Sequence, residues 1–490
     1  KDALSELTLM MQGEFGLQAQ VQVQVQVQTG SPEEVRQKLA RHILVTEFLS
    51  SLKSGVPAQL AAMSIASNPG AADAYRSFAR EWRQRRDLKE SYVKHAVRIE
   101  SEIFCQPLKF SIQDLDGLET FSCTDSMLQV QIEKALAENA SPEILEMSRQ
   151  RQSGFWSGIY PQIQMQWAFI SVLAQLLLEA DRVERELTRA GSDLETILRA
   201  YAGGEAPWCL LDTYYRWMER RYQKLCDVNE ELEWLVNRSR DRYMAVGSNL
   251  ATAFQKSFEA FGFRAGGLPR QYEIFDKYVR PSLAEGKTAY FLVDALRFEM
   301  ARDLIESLSD EYETTLTPVL ACVPTITEIG MAALLPGANE GTVIGAGESK
   351  LAVKIGDFIL KNRSDRMEFL KSSLNSTRLN SRIFVTWMDD LLPTPKKHIR
   401  NAIENSDLII VTSREIDNLC EKGEISLARR AMDEVLDELR QAFKAMASNG
   451  VKTIIVAADH GYLFGDKISD NMVIKPPGGD EADLHRRVWI

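Results

Sequence analysis

The sequence predicts an α/β protein: a mostly parallel sheet flanked by helices, preceded by a large, mainly α-helical region. Three observations carry this. After residue 287, apolar runs of strand length alternate with segments of helical spacing. From about residue 31 to 280 the apolar spacing is helical almost throughout. Between the two, FRAGGLPRQYEIFDKYVRPSLAEGK (263–287) concentrates Gly and Pro and marks a break. We expect a helical interaction region over 1–280, of one or more subdomains, and a sheet-bearing domain over 281–490.

Within the first region, QAQVQVQVQVQ (18–28) alternates strictly at Val21, Val23, Val25 and Val27, the pattern of a half-buried strand or of a biased linker. Ser31, Pro32, Glu33 and Glu34 then read as a helix start, with an N-cap, a proline at the first position and acids at the positive dipole end. Six of the eight Trp fall in this region at helical spacing, which reads as packing. The stretch 76–98 carries eight Lys or Arg, read as a solvated, ion-paired helix surface.

In the second region, TAYFLVD (288–294), TTLTPVLACVP (314–324), SRIFVTW (381–387), DLIIVTS (407–413) and VKTIIVAAD (451–459) read as strands. GMAALLPG after Thr327 reads as a short helix stopped by Pro336 and Gly337. Residues 338–382 are polar and mixed, as in a lid or inserted subdomain. The positions Ile425, Ala428, Met432, Val435, Leu439, Phe443 and Met446 line one face of a long helix that Asn449-Gly450 stops.

The composition bounds the function. A chain of 490 residues has room for roughly two to four domains. With 45% hydrophobic and 26% charged residues it reads as globular. No run of 18 apolar residues occurs, so no membrane span is expected. The start KDALSELTLMMQGEF lacks the basic and apolar regions of a signal peptide. The six cysteines are scattered without a CxxC pair, which fits buried thiols in a reducing cytoplasm. A net charge of −11 does not mark the molecule as a whole as a nucleic-acid binder. The chain closes on RRVWI, which reads as a strand going in, and we expect the domain to continue beyond it.

The chemistry gathers where strands end. Asp294 closes the first strand, Asp417 and Glu421 follow the fourth, and Asp459-His460-Gly461 closes the fifth. Ligands of parallel sheets collect at carboxyl ends of strands. Acids converging there repel one another unless a cation is present, and Asp with His suits Zn2+, Mn2+ or Mg2+. Each residue has a plainer reading: Asp294 and Thr327 can cap the helices that follow them, and His460 can be a satisfied core histidine.

Three segments in order, FLVDALRFEMARDL, VPTITEIGMAALLPG and IIVAADHGYLFG, resemble the PglZ family of the alkaline phosphatase superfamily, found in bacterial BREX phage-defence systems. The resemblance covers about 285–490 and implies an alkaline-phosphatase-like core. It implies a metal ligand at Asp294 and a nucleophile at Thr327, with Thr325 as runner-up; TEIGM is similar to the SEVGH of cofactor-independent phosphoglycerate mutases. It implies ligands at Asp459 and His460 and at Asp417. Glu421 stands where relatives carry His, which puts the second metal in question and makes a harder site. His485 matches the final His, and Arg486 and Arg487 are placed to contact phosphate.

The implied activity is phosphoryl transfer at two divalent metals, Zn2+ favoured over Mn2+ or Mg2+, through a phosphothreonine. A phosphodiesterase or nuclease in a bacterial cytoplasm is favoured over a phosphatase. The helical region would dock other BREX proteins, a methyltransferase or an ATPase, and nucleic acid or a nucleotide would be the substrate. The rival is a phosphatase-like scaffold with little catalysis of its own.

Overall fold

The structure is a computed structural model that describes residues 32–63, 65–66, 68–104, 108–226, 228–345, 351–375, 382–416 and 425–462, with backbone alone at 425–431, 484–485 and 488–489. The strand or linker expected over 18–28 lies outside these residues. Before the first strand the main helices are α1 (Pro32–Ser51), α2 (Pro69–Gln84), α3 (Lys89–Ile103), α4 (Cys123–Glu138), α5 (Pro142–Gln152), α6 (Pro161–Ala190), α7 (Leu194–Ala202), α8 (Leu210–Tyr222) and α9 (Glu230–Ala260). Capping sets two of the starts: Asn68 accepts from Ala71 N and Ser141 from Ile144 N, each followed by a proline at the first helical position.

Two compact units form, one of residues 1–178 with 221–239, the other of 179–220 with 240–490. The core of the first unit is aromatic. Phe48 meets Phe104, Phe110 and Phe121 edge-on, with centroids 5.4–5.7 Å apart. Tyr92 is fully buried, accepts from Arg83 at 2.8 Å and donates to Thr120 O at 3.0 Å. The basic stretch 76–98 resolves into ion pairs on two helices, as expected. Arg83 pairs with Glu47 in the interior, and Arg76 and Arg85 pair with Asp73 and Asp87 at the surface. Most of the tryptophans pack as expected, but Trp234 is 53% exposed. The 30-residue α6 is long and apolar enough to cross a membrane by length and composition, although 56% of its apolar window is buried inside the protein, as in a core helix.

The second unit holds a four-stranded parallel sheet in the order β5-β6-β1-β7, from β1 (Thr288–Val293), β5 (Ile383–Trp387), β6 (Leu408–Ser413) and β7 (Thr453–Ala458). The central β1 is buried along its whole length, which its unbroken apolar run requires. Tyr290 and Leu292 face the cluster that contains Ile329, Leu334 and Leu370. Phe291 faces the other way, against Phe443, with centroids 5.0 Å apart. The helices that cover the sheet include α10 (Phe298–Glu306), α11 (Thr327–Ala333), α12 (Arg363–Asn375), α13 (Lys397–Glu404) and α14 (Ile425–Ser448). Gly450, at φ 80°, stops α14 in the left-handed conformation that glycine adopts without penalty.

The strand expected over 314–324 does not form. Only Leu320 pairs, in a single parallel bridge to Arg270. Pro318 and Pro324 remove two ladder donors from this short run, and its threonine-rich start offers little to bury. In 338–382 the chain instead builds an antiparallel sheet of β2 (Thr342–Gly345), β3 (Leu351–Ile355) and β4 (Phe358–Leu360), followed by α12. A short hairpin, β8 (Leu484–His485) with β9 (Val488–Trp489), pairs His485 with Val488.

Candidate metal and phosphoryl site

Parallel register brings the strand-end residues together. Val293 lies level with Ala458 on one side and Ser413 on the other, so Asp294 and Asp459 emerge side by side from adjacent strands. Asp294 is anchored through its N–H to Ser413 O at 3.0 Å. The next residue, Ala295, has φ 58°, a conformation that costs a non-glycine residue about 1–2 kcal/mol. That turn aims the Ala295 N–H at Asp459 Oδ1, 3.0 Å away, and the His460 N–H reaches the same oxygen at 2.8 Å.

The other oxygen, Asp459 Oδ2, is buried and meets no hydrogen-bond donor among the described residues. Burial pushes the Asp459 carboxyl up to about 6, against the pull of its two backbone donors. His460 completes the cluster. Its Nε2 lies 3.6 Å from Asp294 Oδ1 and 3.5 Å from Asp459 Oδ2. Its Nδ1 lies 3.1 Å from Gly461 O. A carbonyl only accepts, so Nδ1 carries a proton, and Nε2 is the ring nitrogen that faces the carboxylates. Asp294, Asp459 and His460 each offer one donor atom, all within 4.8 Å of one another. Two carboxylates and one imidazole, one oxygen orphaned and all three residues buried, form a donor set that fits a divalent cation such as Zn2+, Mn2+ or Mg2+.

Thr327 opens α11, and its Oγ1 stands 3.2 Å from His460 Nε2. Thr325 sits two residues earlier, outside the helix and half-buried. The structure thus brings together Asp294, Thr327, Asp459 and His460 of the predicted residues. Asp417, Glu421, Arg486 and Arg487 lie outside the described residues, and only the backbone of His485 is described.

Three further residues hold this site, and sequence reasoning did not find them. Gln271, 2% exposed, donates through Nε2 to Ala458 O at 2.8 Å and Asp459 O at 2.6 Å, and accepts from Cys322 N at 3.0 Å. It ties the end of β7 to the segment that leads into Thr327. Gly330 lets α11 touch the Asp459 backbone, since a Cβ there would lie 2.3 Å from Asp459 O. Arg366 on α12 is buried, and burial lowers its pKa while Glu328, Asp459 and Asp294 pull it back up. Gln271 and Arg366 belong to no local motif, while Gly330 sits in the TEIGM string. Only the TEIGM string hinted that a small residue was needed.

Residues 274–473 match the family model of the BREX system PglZ alkaline phosphatase-like domain. This segment is similar to PglZ domains. Over 244 residues the chain is 26% identical to the alkaline phosphatase-like protein BrxZ of Escherichia coli O9:H4 (strain HS), a match covering 46% of this chain and 26% of that relative. The chain therefore spans about a quarter of the length of the curated relative it matches. The PglZ match takes in all four residues of the cluster, Asp294, Thr327, Asp459 and His460, together with Gly330 and Arg366. Gln271 lies just before the PglZ segment begins.

Proposed function

We propose that this chain is a metal-dependent phosphoric ester hydrolase of a bacterial BREX defence system, cleaving phosphodiesters in preference to monoesters. The observation that supports the reading best is the convergence of the Thr327 hydroxyl on the buried Asp294–Asp459–His460 cluster. Asp294, Asp459 and His460 would hold a divalent cation. When bound, such a cation supplies positive charge to the phosphoryl oxygens and lowers the pKa of a neighbouring hydroxyl.

Thr327 Oγ1 is then the nucleophile. It forms a bond to phosphorus, the bond from phosphorus to the leaving ester oxygen breaks, and the chain carries a phosphothreonine until water hydrolyses it. Arg366, close enough to feel the charge of Asp294 and Asp459, would steady the phosphoryl group. A second cation at Asp417, Glu421 and His485 remains part of the proposal through the family resemblance. The free thiols at Cys123, Cys209, Cys226 and Cys322 agree with a reducing cytoplasm. The helical region and the BREX match support other BREX proteins as partners, with nucleic acid or a nucleotide as substrate.

The test is hydrolysis of bis-p-nitrophenyl phosphate and p-nitrophenyl phosphate with Zn2+, Mn2+, Mg2+ or EDTA, beside Thr327→Ala and Asp459→Ala. Bound metal is counted in the same samples. Diester turnover that needs metal and falls by about 10³-fold in both variants is expected. Intact protein mass should show one added phosphoryl group on wild type and none on Thr327→Ala. Folded, metal-loaded protein without turnover of either ester would leave a phosphatase-like scaffold as the role.

A further inference from the structure

Most arginines buried in this unit are spent on carboxylates: Arg216 on Glu299 and Asp303, and Arg297 on Asp212. Arg363, half-buried, and Arg414, exposed, differ. Neither makes an ion pair among the described residues, although they share one indole. Arg363 stacks over Trp387 with its guanidinium carbon 4.0 Å from the ring centre, and Arg414 lies over the same ring at 4.9 Å. Arg363 Nε also donates to Thr412 Oγ1 at 3.0 Å. The carboxylates near them are engaged elsewhere: Asp390 accepts from Thr386 Oγ1 at 2.8 Å and from Trp387 N at 3.2 Å, and Glu415 accepts from Ser413 Oγ and from the Arg414 backbone N–H at 2.8 Å.

The placement gives these cations a purpose. Trp387 ends β5, Arg414 follows the last residue of β6, and Arg363 opens α12. All three lie at the carboxyl edge of the sheet, the edge that carries Asp294 and Asp459. Strand β5 is two steps from β1, a lateral offset of about 10 Å at the usual strand spacing. That exceeds the reach of one phosphate group but not of a substrate with a second. Guanidiniums braced over an indole lose less freedom when they grip, and a guanidinium suits a planar, two-pronged hold on phosphate oxygens. The charge of Arg414 and partial burial together lower the pKa of Arg363, and an anion between the two would relieve that repulsion.

We propose that Arg363 and Arg414, braced on Trp387, bind a second phosphate of the substrate, next to the one that is cleaved. The substrate class is then a molecule with at least two phosphates, either a polynucleotide strand or a nucleotide with a phosphate chain. This rests on the hydrolase reading for which phosphate is cleaved, but not for the binding itself.

The experiment is binding of fluorescein-labelled decathymidylate to the full chain in EDTA, followed by anisotropy across a salt series. Each phosphate contact on a single strand contributes about 0.7 to the slope of log affinity against log salt. The double variant Arg363→Ala, Arg414→Ala should lose about 0.7 in slope and bind roughly fivefold more weakly at 0.1 M salt. Arg363→Lys with Arg414→Lys should keep the slope. So should Arg382→Ala, which removes a charge at the opposite edge of the sheet. Calorimetry with inorganic pyrophosphate and inorganic phosphate separates the sources. Pyrophosphate binding that the double variant abolishes indicates a phosphate chain, and loss of decathymidylate binding alone indicates neighbouring diesters.

An unchanged slope in the folded double variant overturns the proposal, as does wild type that binds neither decathymidylate nor pyrophosphate. Metal-dependent turnover of bis-p-nitrophenyl phosphate, which has one phosphate, should be within twofold of wild type in the double variant. If wild type shows no turnover but the slope shifts as expected, the hydrolase reading fails and the subsite stands.

Discussion

Replacing Gly330 by alanine adds one methyl group at the tightest contact of the site. A Cβ there would lie 2.3 Å from the Asp459 carbonyl oxygen, 2.7 Å from its carbonyl carbon and 2.8 Å from its Cβ, where ordinary contact begins near 3.4 Å. The obstacle is backbone, held by Gln271, and cannot rotate away. Either α11 or the turn after β7 must retreat by about 1 Å, a forced repacking that costs about 1–3 kcal/mol. The retreat separates Thr327 from His460, now 3.2 Å apart. A 1 Å misplacement costs on the order of 10²-fold in rate. Urea denaturation, calorimetric titration with Zn2+ and diester turnover together measure the effect. A variant with wild-type stability, cation affinity and turnover would refute the close approach of α11 to β7 on which the site depends.

Gln271→Ala removes three hydrogen bonds from the same joint and should weaken cation binding by about 10–100-fold, as outer-shell losses do, read by titration with Zn2+. Arg216 is fully buried among Glu299, Asp303 and Asp433, so Arg216→Ala should destabilise by about 3–5 kcal/mol in denaturant, and a loss below 1 kcal/mol would contradict this network. Ala295→Gly relieves a left-handed alanine and should raise stability by about 0.5–1 kcal/mol without loss of turnover. Burial, helped by Glu231, raises Glu133 to about 7 from 4.5. A raised acid favours folding below its unfolded pKa, and that contribution is lost as pH climbs through 7. The melting temperature of Glu133→Gln relative to wild type should therefore rise between pH 5 and 8; a constant difference would count against the shift.

The strands β1, β5, β6 and β7 were legible because each is an apolar run between turn residues. Burial along the whole of β1 and β6 leaves few other sequences for those positions. The false strand at 314–324 shows the limit. Its apolar residues pair with a segment about 50 residues upstream through a single bridge, and nothing local distinguishes that from a ladder. Asp294, Asp459 and His460 stood out because polar residues end apolar strands there. Gln271 did not, since its partners lie 187 and 188 residues away. Arg363 and Trp387 read as an ordinary helix start and a strand end, and only folding stacks one on the other. The pairs Asp417 with Glu421 and Arg486 with Arg487 fall outside the described residues.

The network around Arg216 bears on how this protein can be divided. Arg216 belongs to α8, upstream of the PglZ segment, yet its counter-ions Glu299 and Asp433 lie within it and are 0% and 3% exposed at their side chains. Arg297 draws in the same way on Asp212, which also accepts from Tyr201 at 3.0 Å and Tyr243 at 2.6 Å. A fragment cut to begin at residue 274 would keep these charges and discard their partners, along with Gln271. The matched segment is thus shorter than the compact unit that contains it. The helices at 179–220 and 240–260 are part of what must be expressed, and part of what natural recombination would have to carry with the sheet.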